Sequence, residues 1–216
     1  MRDIPPVTQA LLIANIAVFL LQQLIGPILI AHFALWPLGE PAFARTASGV
    51  IEVGFEPWQI VSYAFLHGGL FHLLMNCFTL YMFGGPIERT LGPRPFVVYY
   101  ATCVVGAALL QLATMGVQPP GGMTPTVGAS GGVYGLLLAF GMLYPRQIIV
   151  LLIPPIPMPA WLFVIVFGAL ELWLGLSRAQ SPIAHFAHLG GMLAGFLLLQ
   201  YWRGKLPIKP KRRLMR

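Results

Sequence analysis

Apolar residues in this chain come in six long runs, separated by short clusters of glycine, proline and charge. The runs cover roughly Thr8 to Ile30, Gly69 to Gly84, Phe96 to Met115, Ser130 to Tyr144, Ala160 to Leu176 and Ala184 to Trp202. A helix needs about 20 apolar residues to cross the hydrocarbon of a bilayer. The pattern predicts an all-α polytopic membrane protein, a compact bundle of six transmembrane helices. A further apolar stretch, Ile148 to Ile153, runs into Pro154, Pro155, Pro157 and Pro159. Those prolines argue for a separate interfacial or re-entrant piece. The long connection Ala31 to Pro57 holds Trp36, Phe43 and Phe55, with Trp58 just beyond it. Such aromatics suit the membrane interface, so an ordered, partly inserted structure is expected there.

Composition strengthens this picture. The chain is 57% hydrophobic and 9% charged, against about 25% charge in a soluble domain. Nearly all of its 216 residues are needed for the spans, which leaves no room for a second folded domain of ordinary size. The start, Met1 to Pro6, lacks a basic region with a cleavage site, so the first run is expected to be a retained span. The expected organisation is a cytoplasmic segment at 1–7, the six-helix domain at 8–203 and a basic cytoplasmic tail at 204–216.

The net charge of +7 changes little, because seven of the thirteen basic residues lie between Arg203 and Arg216. Such a tail holds topology and touches anionic lipid. No stacking aromatics or known module accompany it, which excludes nucleic acid as a partner. With the N-terminus inside, the inner segments hold eleven of the thirteen basic residues, and only Arg45 and Arg178 fall outside. Both termini are therefore expected in the cytoplasm. Spans two, four and six then run inward, which puts His72, Ser130 and His188 together near the outer side. A bacterial inner membrane, with the site facing outward, is the expected setting. Span four is short: its fifteen residues cover about 22 Å of a core of about 30 Å. The loop Gly116 to Ala129 must dip inward to deliver Ser130. Irregular backbone at that depth needs protein or a water-filled cavity around it.

Polar groups inside a bilayer are costly, so they are read first as functional. Ser130 sits in Gly128-Ala129-Ser130-Gly131-Gly132. This matches the G-x-S-x-G elbow of soluble hydrolases, but that motif needs a sheet, which the chain does not offer. Taken alone, the serine reads as a packing site. His188 changes the reading. It shares a helical face with Gly191 and Gly195, and span four carries its own stripe at Gly131 and Gly135. Two such faces allow close approach, which would bring the Ser130 hydroxyl within reach of the imidazole. Nucleophile and general base are the roles that follow.

His72 and Asn76, four apart on one helical face, could join the Ser130 amide in holding an oxyanion. Their alternative role is interhelical hydrogen bonding. Tyr134, one turn after Ser130, could pack under His188. His185 is a rival base, expected one turn further out at the solvated membrane edge. His67 reads as structural or capping.

The only aspartate is Asp3, which rules out an intramembrane aspartyl dyad. No HExxH is present, and no carboxylate or thiolate accompanies the outer histidines at ligand spacing, so no metal and no cofactor are expected. Cys77 and Cys103 read as free thiols in apolar runs. Glu171 is the one acid deep in an apolar run. It either stays protonated or bonds across helices, and a Ser–His dyad is favoured over a triad.

These residues resemble the rhomboid family of intramembrane serine proteases. The similarity runs from about Pro57 to Gly195. It covers Glu56-Pro57-Trp58, Phe65-Leu66-His67, His72-Leu73-Leu74-Met75-Asn76, Gly85-Pro86-Ile87-Glu88-Arg89 with Gly92, Gly128 to Gly131 with Tyr134, and Ala187-His188 with Gly191 and Gly195. The resemblance implies a six-helix core, Ser130 as nucleophile, His188 as base, and an oxyanion site of His72, Asn76 and the Ser130 amide. It implies single-pass membrane proteins as substrates, cut within or near their spans. Gln59 departs from the family pattern, in which arginine often follows the tryptophan, and this puts the anchoring of the outer loop in question. Two other classes remain: an inactive relative that retains membrane clients, and a transporter lined by the same polar residues.

Overall fold

The computed structural model describes residues 3–46, 49–115, 124–151, 154–177 and 184–210. Each of the six apolar runs is helical. Helix α1 (Pro6–Phe33) bends at Ile25, whose φ and ψ of −130° and 33° leave the helical region two residues before Pro27. The second run is α3 (Leu70–Thr79), a π turn at Leu80–Gly84 and α4 (Gly85–Leu91). Pro86 falls in the first turn of α4, where a missing N–H is tolerated. Then come α5 (Pro93–Met115), α6 (Ser130–Leu143), α7 (Ala160–Leu176) and α8 (His185–Trp202). Among the described residues, Pro6–Phe33, Leu70–Leu91 and Pro93–Met115 are long and apolar enough to cross a membrane, and α6 and α7 are shorter apolar helices. Leu24, Trp173 and Leu176 stand exposed on these helices, as lipid-facing side chains do.

The described parts of the long connection after α1 carry regular structure. Strands β1 (Ala42–Thr46) and β2 (Gly49–Val53) pair antiparallel. A short helix α2 (Gln59–Ser62) and a 3-10 turn (Tyr63–Phe65) lead on to α3. The Gln59 side chain is fully buried and ties the connection down. Its oxygen accepts from the Trp36 amide at 3.2 Å, and its nitrogen donates to the carbonyls of Gly54 at 3.0 Å and His32 at 3.3 Å. The anchoring is therefore present with glutamine at this position.

The proline-rich stretch is a separate piece, as expected, and its described part is a two-stranded antiparallel ribbon. Strand β3 (Ile148–Val150) pairs with β4 (Pro157–Pro159), Ile149 opposite Met158. In a two-stranded ribbon the prolines lie on an edge, where a missing donor is harmless.

Helix α8 packs most extensively on α5 and α6, and small residues set the spacing. A Cβ on Gly106 would stand 2.3 Å from that of Ala194, and one on Gly190 would stand 2.5 Å from the Gly106 carbonyl oxygen. The two predicted glycine stripes meet in part. Gly191 of α8 lies against Gly131 of α6, while Gly195 lies against Tyr99 and Cys103 of α5. The core around them holds Tyr63, Phe96, Tyr99, Leu136 and Leu199. Cys103 is a buried free thiol and Cys77 a half-buried one. At the other end of the bundle, the buried Glu88 of α4 caps α1. It accepts from the amides of Val7 (2.9 Å) and Thr8 (2.7 Å) and from the Thr8 hydroxyl (2.7 Å). A carboxylate there meets both the unpaired first-turn N–H groups and the positive end of the helix dipole.

Candidate active site

Ser130 is the first residue of α6, and its amide is among the first-turn N–H groups that lack an intrahelical acceptor. The part of the preceding loop at 124–129 is held by protein. Leu35 and Thr126 exchange backbone hydrogen bonds at 3.0 and 2.9 Å, and the Gly128 amide donates to the Tyr63 carbonyl at 3.0 Å. The rest of the expected inward-dipping loop, 116–123, lies outside the described residues. His188 lies in the first turn of α8, beyond the connection at 178–183. The contact between Gly131 and Gly191 brings these two helix starts together. Ser130 Oγ lies 2.8 Å from His188 Nε2.

With Nε2 accepting the hydroxyl proton, the neutral His188 ring carries its own proton on Nδ1. Glu171 Oε1 of α7 lies 3.0 Å from that atom, off the line of a well-aligned hydrogen bond. Tyr134 stacks flat on His188, with ring centres 4.1 Å apart and planes 6° from parallel. Its hydroxyl donates to Glu171 Oε1 at 2.5 Å.

On the other side of Ser130, His72 Nδ1 accepts from the Gly68 amide at 3.3 Å. In the neutral ring this leaves the proton on Nε2, and Nε2 is the edge that faces the backbone at Gly128. Gly128 has φ of +127°, and a Cβ there would stand 2.8 Å from His72 Nε2. Glycine is needed at this position both for its dihedral and for the closeness of the imidazole. Asn76 is buried one turn along α3 and donates to the His72 carbonyl at 2.9 Å. That hydrogen bond lies within its own helix. A Cβ on Gly131 would stand 2.4 Å from that of Ala107, so this glycine seats α6 on α5.

One residue differs from the sequence reading. His185 is not at a solvated edge: it is 6% exposed, and its Nδ1 lies 2.6 Å from Glu171 Oε2. Glu171 bonds across helices, one of the two roles left open for it, and it sits between His185, His188 and Tyr134, so a carboxylate does accompany the outer histidines. The signals for this were a lone acid in an otherwise uncharged helix and a His-x-x-His pair on one face of the next. By type and distance, Glu171, His185 and His188 could also hold a metal ion, since one ligand atom from each lies within 4.8 Å of the others. His67 is buried. Its backbone is clamped by the Gln22 side chain at 2.9 and 3.1 Å, and its ring meets His72 edge-on at 5.2 Å, so it braces the loop and is not a cap.

Fold and site together define a helical membrane protein in which a serine hydroxyl and an imidazole meet at the starts of two packed helices. Residues 54–204 match the Rhomboid domain, and the chain belongs to the rhomboid family. It is 31% identical to Rhomboid protein 1, mitochondrial, of Saccharomyces cerevisiae over 158 residues, 72% of this chain and 45% of that protein. It is 32% identical to RHOMBOID-like protein 12, mitochondrial, of Arabidopsis thaliana, over 74% of this chain and 51% of the relative. It is 26% identical to Rhomboid protease GlpG of Yersinia pseudotuberculosis, over 91% and 62% of the two chains. The chain thus spans about half the length of the curated relatives it matches. Relatives with mitochondrial and plant names stand beside bacterial ones, so the comparisons support an integral membrane protein and do not favour a bacterial inner membrane.

Proposed function

We propose that this chain is an intramembrane serine endopeptidase acting on single-pass membrane proteins, with Ser130 as nucleophile and His188 as general base. The observation that carries this reading is the 2.8 Å contact between Ser130 Oγ and His188 Nε2 in a bundle of apolar helices. Six spans place both termini on one side and the site near the other. Residues 8–203 are the catalytic domain, and 204–216 is a basic tail against the lipid surface.

The chemistry follows from the geometry. A substrate segment reaches the site laterally, past α7 or the outer connection, and unwinds, because a helical backbone hides its carbonyls in internal hydrogen bonds. His188 Nε2 takes the Ser130 proton as Oγ attacks the carbonyl carbon. The oxyanion is held by His72 Nε2–H, the Asn76 amide and the Ser130 backbone N–H. The intermediate collapses, the C–N bond breaks, and the departing amine takes its proton from His188. Water then gives a proton to His188 and adds to the acyl-enzyme, and Ser130 leaves with that proton.

The test uses purified protein with a generic single-span substrate, with wild type beside Ser130→Ala and His188→Ala. Cleavage by wild type alone is the expected result. Equal cleavage by all three would sink the site assignment. If wild type neither cleaves nor accepts a fluorophosphonate on Ser130, the chain is a client-binding relative.

A further inference from the structure

We propose that Glu171 is a positioning residue for His188, so that the site works as a Ser130–His188–Glu171 triad with Tyr134 and His185 holding the carboxylate. This rests on the protease reading above. A carboxylate in an apolar helix is expensive unless it is paired and hydrogen-bonded. Glu171, itself 6% exposed, is met by Tyr134 Oη at 2.5 Å, His185 Nδ1 at 2.6 Å and His188 Nδ1 at 3.0 Å. These groups come from α6 and α8, the two helices that carry the nucleophile and the base. Nothing else in α7 is charged.

The arrangement fixes the base in two ways. The carboxylate beside Nδ1 favours the tautomer that leaves Nε2 free to accept from Ser130. It also faces the imidazolium that forms when that proton moves. Tyr134 links both functions, since its ring lies flat on His188 and its hydroxyl holds Glu171. His185 takes the second carboxylate oxygen, so the carboxyl plane is held from two sides. The off-line 3.0 Å contact at Nδ1 is that of a resting pair, which tightens as the ring becomes charged. A metal ion is the competing use of these side chains. The carboxylate oxygens already accept from protein donors, and His188 already has Nε2 on Ser130.

The experiment compares full-length wild type with Glu171→Gln, Glu171→Met and Glu171→Asp in the same micelle. It reads kcat and KM on a single-span substrate, the rate of fluorophosphonate labelling of Ser130, and thermal unfolding. Triad acids in soluble proteases are worth up to about 10⁴-fold in kcat, and the looser contact here predicts about 100-fold for Gln and Met. KM should stay within about twofold, labelling should slow in step, and Asp should recover activity to within about tenfold of wild type. Met matches the length without charge, which keeps the test alive if Gln does not fold.

A folded Gln or Met variant within about threefold of wild-type kcat overturns the proposal. So does a change confined to KM, an Asp variant no better than Gln, or unfolding of both Gln and Met. Loss of wild-type activity on chelation, restored by zinc, assigns the cluster to a metal and also overturns it. If wild type neither cleaves nor labels, the protease reading itself falls, and the proposal falls with it.

Discussion

Gly191 and Gly131 touch backbone to backbone: a Cβ on Gly191 would stand 1.9 Å from the Gly131 carbonyl oxygen. Gly131 follows Ser130 by one residue and Gly191 follows His188 by three. This contact therefore sets the distance between Ser130 and His188. A backbone oxygen cannot swing away as a side chain can. Gly191→Ala is expected to push α8 from α6, slow cleavage by at least about tenfold, and destabilise the fold by about 1–3 kcal/mol, as overpacking does. Thermal unfolding and substrate cleavage of the same preparation check both effects. Wild-type activity in Gly191→Ala would show that helix spacing does not govern the site.

Gly128 controls the opposite wall. Its φ of +127° and the 2.8 Å approach to His72 Nε2 leave no room for a side chain. Gly128→Ala is expected to displace His72 or Ser130 and lower kcat by about 10- to 100-fold, in the range of a lost oxyanion donor. The rest of the core is untouched, so helix content by circular dichroism should stay at the wild-type level.

Glu88 tests whether the far end of the bundle can fail independently. Glu88→Ala leaves the amides of Val7 and Thr8 without their shared acceptor. Losing hydrogen bonds to a buried charged group predicts a stability loss of about 2–4 kcal/mol. The folded fraction should cleave at the wild-type rate, because no contact joins Glu88 to Ser130 or His188 among the described residues. A lowered specific activity at a temperature where the variant is fully folded would contradict this.

Gln59 carries the prediction for the outer connection. Gln59→Ala removes three hydrogen bonds at a fully buried position, with an expected loss of about 1–3 kcal/mol. The effect should appear locally, as faster proteolytic nicking within 31–57 than in wild type. Unchanged nicking would mean that the hairpin and Trp36 hold the connection without it.

What could be read from the chain and what could not divides along one physical line. The closeness of Ser130 and His188 was legible because glycines at helical spacing declare where two backbones meet. The stacking of Tyr134 on His188 was legible for a similar reason, since a residue one turn from Ser130 shares its face. The connection after α1 was legible as ordered from its interfacial aromatics, although its hairpin was not foreseen.

The place of Glu171 was not legible, because no residue near it in sequence says which way α7 turns. Its direction is set by packing against two helices whose own rotation comes from elsewhere. His185 was misplaced for the same reason: only the carboxylate on α7 explains why it is buried. The pairing of Ile148–Val150 with Pro157–Pro159 was missed because proline argues against a strand until the ribbon proves to have only edges.

Glu171 rides on α7, while Ser130 and Tyr134 ride on α6 and His188 and His185 on α8. Beside the histidines the contacts across this seam are polar ties between side chains, and elsewhere α7 packs through side chains, Val164 on Gly141 and Met192 on Gly168, unlike the glycine-to-glycine abutment that locks α6 to α8. A displacement of α7 by a few ångströms would leave the hydroxyl and imidazole in contact but carry the carboxylate away from both histidines and the tyrosine. On the proposed protease reading, the same helix would then serve as wall and as safety catch, and the site would be fully armed only when the bundle is shut.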